Sequence, residues 1–420
     1  MQMKITHLTG REIFDSRGFP ALECELVLEN VHVITASVPA GASKGTNEAV
    51  ELRDGGKRLA GMGVQKAIEN IQQIIAPALI GQEPSLVEMD LKMIALDGTE
   101  NKSKLGANAM LAVSNAVLQA QAIIEGLESF ELIAALCELD TVSIPIPLVN
   151  VINGGMHADN NLTLQEFMVV ARNQQTIRSS LEATATLFYE LKKLLKEQGK
   201  STLVGDEGGF APDFDDNRQA LDVLMQAIEK VKKEFKYDFA IAIDAAANSF
   251  YDKKTNTYVL QGKKLSTDQM IDWYVQLAKD YPLFSLEDPL HEEDWDGWAE
   301  LTQKLGESVQ IVGDDIFTTN GERITLGLKK GASNAVLIKP NQIGTFTETL
   351  QAINLCKDHE LNTVISHRSG ETEDTIIVDL AVGTNAGQIK TGGLSRGERT
   401  AKYNRLLRIE DNLTLSVLEE

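Results

Sequence analysis

The chain has 420 residues, too many for one small hydrophobic core, so two domains or one barrel with a smaller unit are expected. Hydrophobic residues make up 43% of it and charged residues 24%, which is typical of a globular protein and argues against disorder. Its formal net charge of −21 argues against nucleic-acid backbone binding as a main role, and such an acidic protein needs cations to hold an anionic substrate.

The amino-terminal part has strand patterns followed by helical patterns. The strand patterns within residues 1–40 are ITHLTGREIFD, ALECELVLEN and VHVITASV, and helical patterns extend from about residue 57 to 137. The opening residues lack the apolar segment of a signal peptide, so a cytoplasmic location is expected. The three cysteines lie far apart without a CxxC pair, which argues against a zinc cage and a disulfide framework.

One long apolar run, residues 106–124, needs an interpretation of its own. Polar residues interrupt it, among them Ser114, Asn115, Gln119 and Gln121. A membrane-spanning helix needs a nearly unbroken apolar stretch of about 20 residues. The run therefore predicts a buried helix rather than a membrane span.

The sequence pattern changes near residue 141, where we place the boundary between a domain of residues 1–140 and a domain of residues 141–420. Beyond it, short apolar runs alternate with amphipathic helical stretches, the pattern of parallel βα units. The strand candidates are IPLVNVI, LQEFMVVA, TLVGD, FAIAID, LFSLED, VQIVGD, AVLIK, NTVISH and GQIK. They predict an eight-stranded β/α barrel in which one candidate is misassigned or the opening is irregular.

Polar and charged residues stand at the carboxyl ends of successive strand candidates. They are Asp244, Glu287-Asp288, Asp314, Lys339, His367-Arg368-Ser369 and Lys390. In a parallel barrel these ends open on one face, where such enzymes carry their chemistry. A single strand-end lysine also fits a surface side chain that extends to water. Six polar strand ends in a row instead favour a functional site.

Asp244, Glu287 and Asp314 are candidate metal ligands. Hard carboxylate oxygens suit Mg²⁺, which also keeps waters and substrate oxygens. The alternative for each acid is a lysine partner or a helix cap. Two like charges about 4 Å apart cost roughly 4 kcal/mol at an effective dielectric of 20. A bound cation is therefore the favoured interpretation for the three acids together.

Glycine-containing segments contribute further candidates. GDEGGFAP contains Glu207, and VINGGMHADNNLTLQEF contains His157, Gln165 and Glu166. Taken alone, the first segment also fits a tight turn, and His157 fits a structural or solvated histidine. A third segment, GASKG, matches the G-x-S-x-G pattern of hydrolases. It lies in the smaller domain, outside the βα series, and this argues against a hydrolase.

The motifs, taken together, resemble those of the enolases. They extend from Arg11 to Glu410 and are REIFDSRG, GASKG, ELRDG, DGTENKSKLGANAMLAVS, INGGMHADN, LQEF, GDEGGFAP, SLEDP, VGDDIFTTN, LIKPNQIG, ISHRSGETED, GQIKTGG and AKYNRLLRIE. The resemblance implies a small α+β amino-terminal domain and an eight-stranded β/α barrel with a ββαα opening. It also implies reversible dehydration of 2-phosphoglycerate to phosphoenolpyruvate with two Mg²⁺ ions, by a homodimer or an octamer.

The same resemblance implies a role for each candidate residue. Asp244, Glu287 and Asp314 would hold the first Mg²⁺, and Ser43 would help to bind the second. Lys339 would be the base and Glu207 the acid. Substrate contacts would come from His157, Gln165, Glu166, Lys339, Arg368, Ser369 and Lys390. The metal ions and Lys390 would stabilise charge that develops on the substrate carboxylate, and these cations would lower the pKa of Lys339.

Some positions depart from the usual pattern of the family. They are Phe19 after DSRG, Lys44 beside Ser43, Met156 and Asp159 around His157, and Asn248-Ser249 after the Asp244 strand. None removes a proposed chemical group, but they bear on loop closure, substrate affinity and turnover. Two alternatives stay open: a related barrel enzyme that acts on another carboxylate, and a catalytically weak enolase-like protein with scaffold or surface-binding partners.

Overall fold

The computed structural model of the protein describes residues 3–41 and 45–419. Its amino-terminal part contains an antiparallel sheet of β1 (Ile5–Phe14), β2 (Pro20–Leu28) and β3 (His32–Val38), in that order. Buried residues alternate with partly exposed ones along β2, so one face of the sheet packs on the helices. The helices are α1 (Gln65–Asn70), α2 (Ala76–Leu79), α3 (Leu86–Asp97), α4 (Ala107–Glu125) and α5 (Ser129–Leu136).

Helix α4 lies at the centre of this amino-terminal core and packs against β2 and β3. It is long and apolar enough to cross a membrane, but 78% of the apolar window is buried inside the protein. Its polar Ser114 is satisfied, because the hydroxyl donates to Asp90 at 2.9 Å and accepts from the main-chain N–H of Phe346 at 2.9 Å. The prediction of a buried helix over this run is confirmed.

The remaining strands form a closed barrel and a small separate sheet. In chain order they are β4 (Ile146–Asn153), β5 (Glu166–Arg172), β6 (Asp238–Asp244), β7 (Tyr251–Asp252), β8 (Thr257–Leu260), β9 (Lys263–Leu265), β10 (Leu283–Glu287), β11 (Gln310–Gly313), β12 (Ala335–Ile338), β13 (Asn362–Ser366) and β14 (Gly387–Lys390). The barrel order is β10-β11-β12-β13-β14-β4-β5-β6, and β7, β8 and β9 pair as a three-stranded antiparallel sheet.

The barrel helices follow the strands with one irregularity at the start. They are α6 (Ile177–Glu197), α7 (Asn217–Phe235), α8 (Thr267–Asp280), α9 (Trp295–Leu305), α10 (Gly321–Lys330), α11 (Pro340–Ile343), α12 (Phe346–Asp358), α13 (Ile376–Gly383) and α14 (Gly397–Glu419). Strand β5 is antiparallel to β4 and β6, while the other barrel pairs are parallel. The opening is therefore ββαα, and the predicted fold, an α+β part followed by an eight-stranded β/α barrel, is confirmed.

One strand prediction was wrong. TLVGD (202–206) is not a barrel strand, because its only pairing within the described residues is an isolated bridge between Val204 and Phe210. The segment lies between α6 and α7, where GDEGGF turns the chain back on itself and the N–H of Gly205 donates to the carbonyl of Gly209 at 2.8 Å. The β-branched and apolar residues Thr202, Leu203 and Val204 suggested a strand, but the glycine turn limits the pairing to one residue pair.

Two apolar layers hold the barrel and its helices together. Side chains that point inward from alternate strand positions fill the barrel, among them Leu148, Met168, Val312 and Leu337. Outward-pointing side chains join the helices in a larger core. All three cysteines are free, in agreement with the absence of a predicted disulfide framework.

Candidate active site

The carboxyl ends of the barrel strands surround one polar cavity. It is lined by Gly41, His157, Gln165, Glu166, Glu207, Asp244, Ala246, Asp288, Asp314, Asp315, Lys339, Ser366, His367, Arg368, Ser369 and Lys390. This lining contains most of the residues that the strand ends predicted. Glu287 is joined to the same group through Lys390. Ser43 and Lys44 lie outside the described residues.

Lys390, at the end of β14, stands among carboxylates. Its Nζ lies 2.8 Å from Glu287 Oε1, 3.0 Å from Asp244 Oδ2 and 3.1 Å from Glu166 Oε1. Burial opposes its charge, but these acids raise the pKa of Lys390 well above its usual range. Burial and the charge of Asp244 raise the pKa of Glu287 to about 8, although Lys390 opposes the shift. The group therefore holds more buried acids than its one lysine can neutralise.

Lys339, after β12, forms an ion pair with one acid among the described residues. Its Nζ lies 2.5 Å from Asp314 Oδ2. Burial lowers the pKa of Lys339, but the carboxylate of Asp314 outweighs this effect, so its pKa is raised. The sequence predicts that bound cations lower the pKa of Lys339, which is the opposite direction. Such a decrease requires a bound cation that competes with Lys339 for the Asp314 carboxylate.

Glu207 and Glu166 form a buried carboxyl pair beside two histidines. Glu207 Oε1 lies 3.3 Å from His157 Nδ1 and 3.4 Å from His367 Nε2, while Glu166 Oε1 lies 3.7 Å from His157 Nδ1. Burial and the neighbouring Glu207 raise the pKa of Glu166 well above its usual range. Burial acts on Glu207 as well, but His157 and His367 lower its pKa. Two adjacent acids with separated pKa values can hold one proton between them.

Arg368 and Ser369, after β13, are reached by residues of the amino-terminal part. The Arg368 guanidinium donates to Glu48 Oε2 at 3.0 Å and to Glu48 Oε1 at 3.2 Å, and also to Asn341. Arg17 donates to Ser369 Oγ at 3.2 Å. The sequence reasoning missed Glu48 and Arg17 as members of the site. Arg17 belongs to REIFDSRG, which was noted only as part of a resemblance, and Glu48 precedes ELRDG and belongs to none of the motifs.

Asp288 and Asp315 are further acids that were not predicted as metal ligands. Ligand atoms of Asp288, Asp314 and Asp315 lie within 4.8 Å of one another, and so do those of His157, Glu166 and Glu207. Asp288 accepts the main-chain N–H groups of Asp314 and Asp315 at 2.8 and 3.0 Å, which fixes the turn after β11. Their positions directly beside Glu287 and Asp314 in the sequence were the available signal.

The donor set fits a hard divalent cation. Burial and neighbouring acids raise the pKa of Asp315 to about 7 and that of Asp288 well above its usual range. Burial is the larger cause, and the neighbouring acids add to it, so negative charge is concentrated at this point. Oxygen ligands with unbalanced negative charge are what Mg²⁺ binds in proteins. Of the predicted metal ligands, Asp314 belongs to the close group with Asp288 and Asp315, while Asp244 and Glu287 contact Lys390.

The described positions that depart from the family pattern contact or flank residues of this site. Asn248 donates to Asp315 Oδ2 at 2.8 Å and accepts the N–H of Glu292 at 3.0 Å, and Ser249 is exposed. The Phe19 ring lies 5.6 Å from the Arg17 guanidinium carbon, a cation–π contact. Met156 and Asp159 are exposed next to the buried His157. None of these side chains blocks the cavity.

Comparison with known protein families gives two matches that together cover most of the chain. Residues 141–418 match the family model described as "Enolase, C-terminal TIM barrel domain". Residues 5–133 match the model described as "Enolase, N-terminal domain". The two matches follow one another in the same order as the sheet-and-helix part and the barrel of the structure.

Proposed function

This chain belongs to the enolase family, and we propose that it catalyses the reversible, Mg²⁺-dependent dehydration of 2-phosphoglycerate to phosphoenolpyruvate. One observation carries the proposal. Lys339 follows β12 and Glu166 begins β5, and these strands lie four places apart in the closed order of eight. A basic group and a carboxyl pair that holds a proton therefore face one cavity from opposite sides of the barrel.

The first proton transfer is assigned to Lys339. The hydrogen on C2 of 2-phosphoglycerate is α to a carboxylate and is a very weak acid. Its removal needs a base close to the carbon and positive charge around the carboxylate. Bound Mg²⁺ supplies positive charge that stabilises the substrate carboxylate as its negative charge increases. Lys390, held as a cation by three acids, adds a fixed charge to the same site.

Loss of the C3 hydroxyl is assigned to the carboxyl pair. Glu166 holds a proton before the reaction because its pKa is raised. Glu207 then delivers this proton to the leaving oxygen. His157 and His367 contact Glu207 and keep its carboxyl group oriented toward the cavity. Arg368, Ser369 and Gln165 are the proposed substrate contacts, since their side chains line the cavity and can donate hydrogen bonds to anionic oxygens.

Proton exchange and product formation test this assignment in one experiment. Purified protein is incubated with 2-phosphoglycerate and Mg²⁺ in D₂O, and the substrate and product are followed by NMR. We expect phosphoenolpyruvate together with exchange of the C2 proton, and loss of both after chelation of the metal. Exchange without phosphoenolpyruvate would instead indicate a related enzyme with another substrate. Neither exchange nor product from folded, Mg²⁺-binding protein would contradict an enzymatic role on this substrate and favour a scaffold.

A further inference from the structure

A buried glutamine, Gln342 in α11, joins the acid after β11 to the loop after β12. Its Nε2 donates to Asp314 Oδ1 at 2.8 Å, and its main-chain N–H donates to the carbonyl of Lys339 at 2.9 Å. The residue is 1% exposed. Gln342 therefore contacts both members of the Asp314–Lys339 ion pair without belonging to it.

Thr319 completes this connection from the other side. Its hydroxyl donates to Gln342 Oε1 at 2.8 Å and accepts the main-chain N–H of Lys339 at 2.9 Å. Thr318 and Thr319 are fully buried and have φ of +48° and +56°. β-Branched residues rarely adopt this left-handed conformation, and it persists only where the surrounding structure holds it. The strained turn thus places one hydroxyl between the glutamine and the lysine main chain.

Residues of the amino-terminal part of the chain also form hydrogen bonds with Gln342. The N–H of Ala49 donates to the carbonyl of Gln342 at 2.8 Å, and Gln342 Nε2 lies 3.4 Å from Glu48 Oε1. Because Nε2 faces two carboxylates and Oε1 faces a hydroxyl donor, the amide has one favourable orientation. A residue with only donors or only acceptors could not satisfy both sides.

We propose that Gln342 and Thr319 act together as positioning residues that hold the Asp314 carboxylate and the Lys339 main chain in one fixed arrangement. This role rests on the proposed function, in which Asp314 binds Mg²⁺ and Lys339 is the base. Gln342 orients Asp314, the proposed metal ligand, through one hydrogen bond. Thr319 fixes the main-chain position of Lys339 at the end of β12. Neither residue is among those that line the cavity, so their effects pass through Asp314 and Lys339.

Two substitutions separate these effects. Gln342→Met keeps the length of the side chain and removes its hydrogen bonds, and Thr319→Val replaces the hydroxyl by a methyl group. Loss of a hydrogen bond that orients a metal ligand typically costs 10- to 100-fold in metal affinity or activity. We expect Gln342→Met to weaken Mg²⁺ binding about 10-fold or more, measured by calorimetry without substrate. Thr319→Val should lower kcat and the rate of C2 exchange with a smaller change in KM.

Matched controls come from buried residues away from the cavity. Gln388→Met changes a glutamine at the amino end of β14 that pairs with Gln310, and Thr349→Val removes a hydroxyl that donates within α12. Both should bind Mg²⁺ and turn over like the unmodified protein. Thr319→Ser keeps the hydroxyl and should restore kcat. The double variant of Gln342→Met and Thr319→Val should lose much less than the product of the two single losses, since linked residues are non-additive.

The outcomes distinguish this inference from the proposed function. If both variants match their controls in Mg²⁺ affinity, kcat and exchange rate, the positioning role is wrong even though the enzyme is active. If the unmodified protein binds Mg²⁺ but forms no phosphoenolpyruvate, the proposed function fails, while the Mg²⁺ affinity of Gln342→Met still tests the arrangement. Thr319→Val, with nearly unchanged volume, provides the test if Gln342→Met does not fold.

Discussion

Two buried lysines at the mouth of the barrel, Lys390 and Lys339, stand in different electrostatic surroundings. Burial lowers the pKa of both. Around Lys390, the charged neighbours are acids, and they raise its pKa well above the usual range. Lys339 has one close acid among the described residues, Asp314, which raises its pKa against the opposing positive charges of Arg368 and Lys390. The same residue type at two strand ends is thus paired with three acids in one place and with one acid in the other.

The largest expected effect concerns the base. Lys339→Ala should lose both C2 exchange and phosphoenolpyruvate formation, because no carbanion forms without a base, whereas Glu207→Gln should lose product but keep exchange. General acid–base groups contribute about 10²- to 10⁴-fold, so both losses should be large. NMR of 2-phosphoglycerate in D₂O with saturating Mg²⁺ measures them. Exchange that persists in Lys339→Ala and vanishes in Glu207→Gln would reverse the two roles.

Lys390 should contribute more to the stability of the folded protein than Lys339 does. Lys390→Met leaves Asp244, Glu166 and Glu287 without their shared partner, and removal of one partner from a buried ion pair costs about 3–5 kcal/mol. Lys339→Met leaves one acid unpaired and should cost less. Urea unfolding of the metal-free variants measures both free energies. Equal losses, or a larger loss for Lys339→Met, would contradict the proposed difference between the two lysines.

The acids around Lys390 should make the metal-free protein less stable as pH rises. Folding raises the pKa of Glu287 from 4.5 to about 8. A carboxyl group with a raised pKa stabilises the folded state below its ordinary pKa and loses this contribution as the pH approaches the folded value. Between pH 4.5 and about 8, the loss of this contribution should lower the unfolding free energy by up to about 1.4 kcal/mol per pH unit.

Glu287→Gln separates this contribution from the other titrating groups. The amide cannot ionise, so the unfolding free energy of this variant should depend less on pH than that of the unmodified protein between pH 4.5 and 8. Urea unfolding in the presence of a chelator gives both profiles. Parallel profiles would show that Glu287 is not held protonated by its surroundings, and the contrast between the two lysines would weaken accordingly.

The smallest expected effect concerns Arg368, the cation beside Lys339. Glu48→Gln keeps an oxygen that accepts from the guanidinium but removes the negative charge that pairs with Arg368 beside the cavity. An anionic substrate should then bind more readily, so KM should fall by about two- to fivefold at low ionic strength and return toward the unmodified value as salt is added. Steady-state kinetics at several salt concentrations measure this. A higher KM would show that Glu48 mainly orients Arg368.

Much of the barrel was predictable, because its pattern is local. Lys339 and Lys390 each follow a short apolar run at the spacing of one βα unit, and the carboxyl ends of parallel strands meet at one face. TLVGD was misassigned for the same reason, since a local apolar run does not show whether it has a neighbour to pair with. The glycines that follow it were the better guide.

The sequence by itself determined which chemical groups reach the cavity from the barrel, because βα periodicity and strand polarity place strand ends together. Only the tertiary structure decided the pairings: three acids with Lys390, one acid with Lys339, and Glu48 with Arg368. Glu48 and Arg368 are far apart in the chain and belong to different parts of the fold. Their contact depends on how the amino-terminal part packs on the barrel, which no local pattern contains. The charge balance at Arg368 follows from that packing, whereas the surroundings of the two lysines follow from pairings within the barrel.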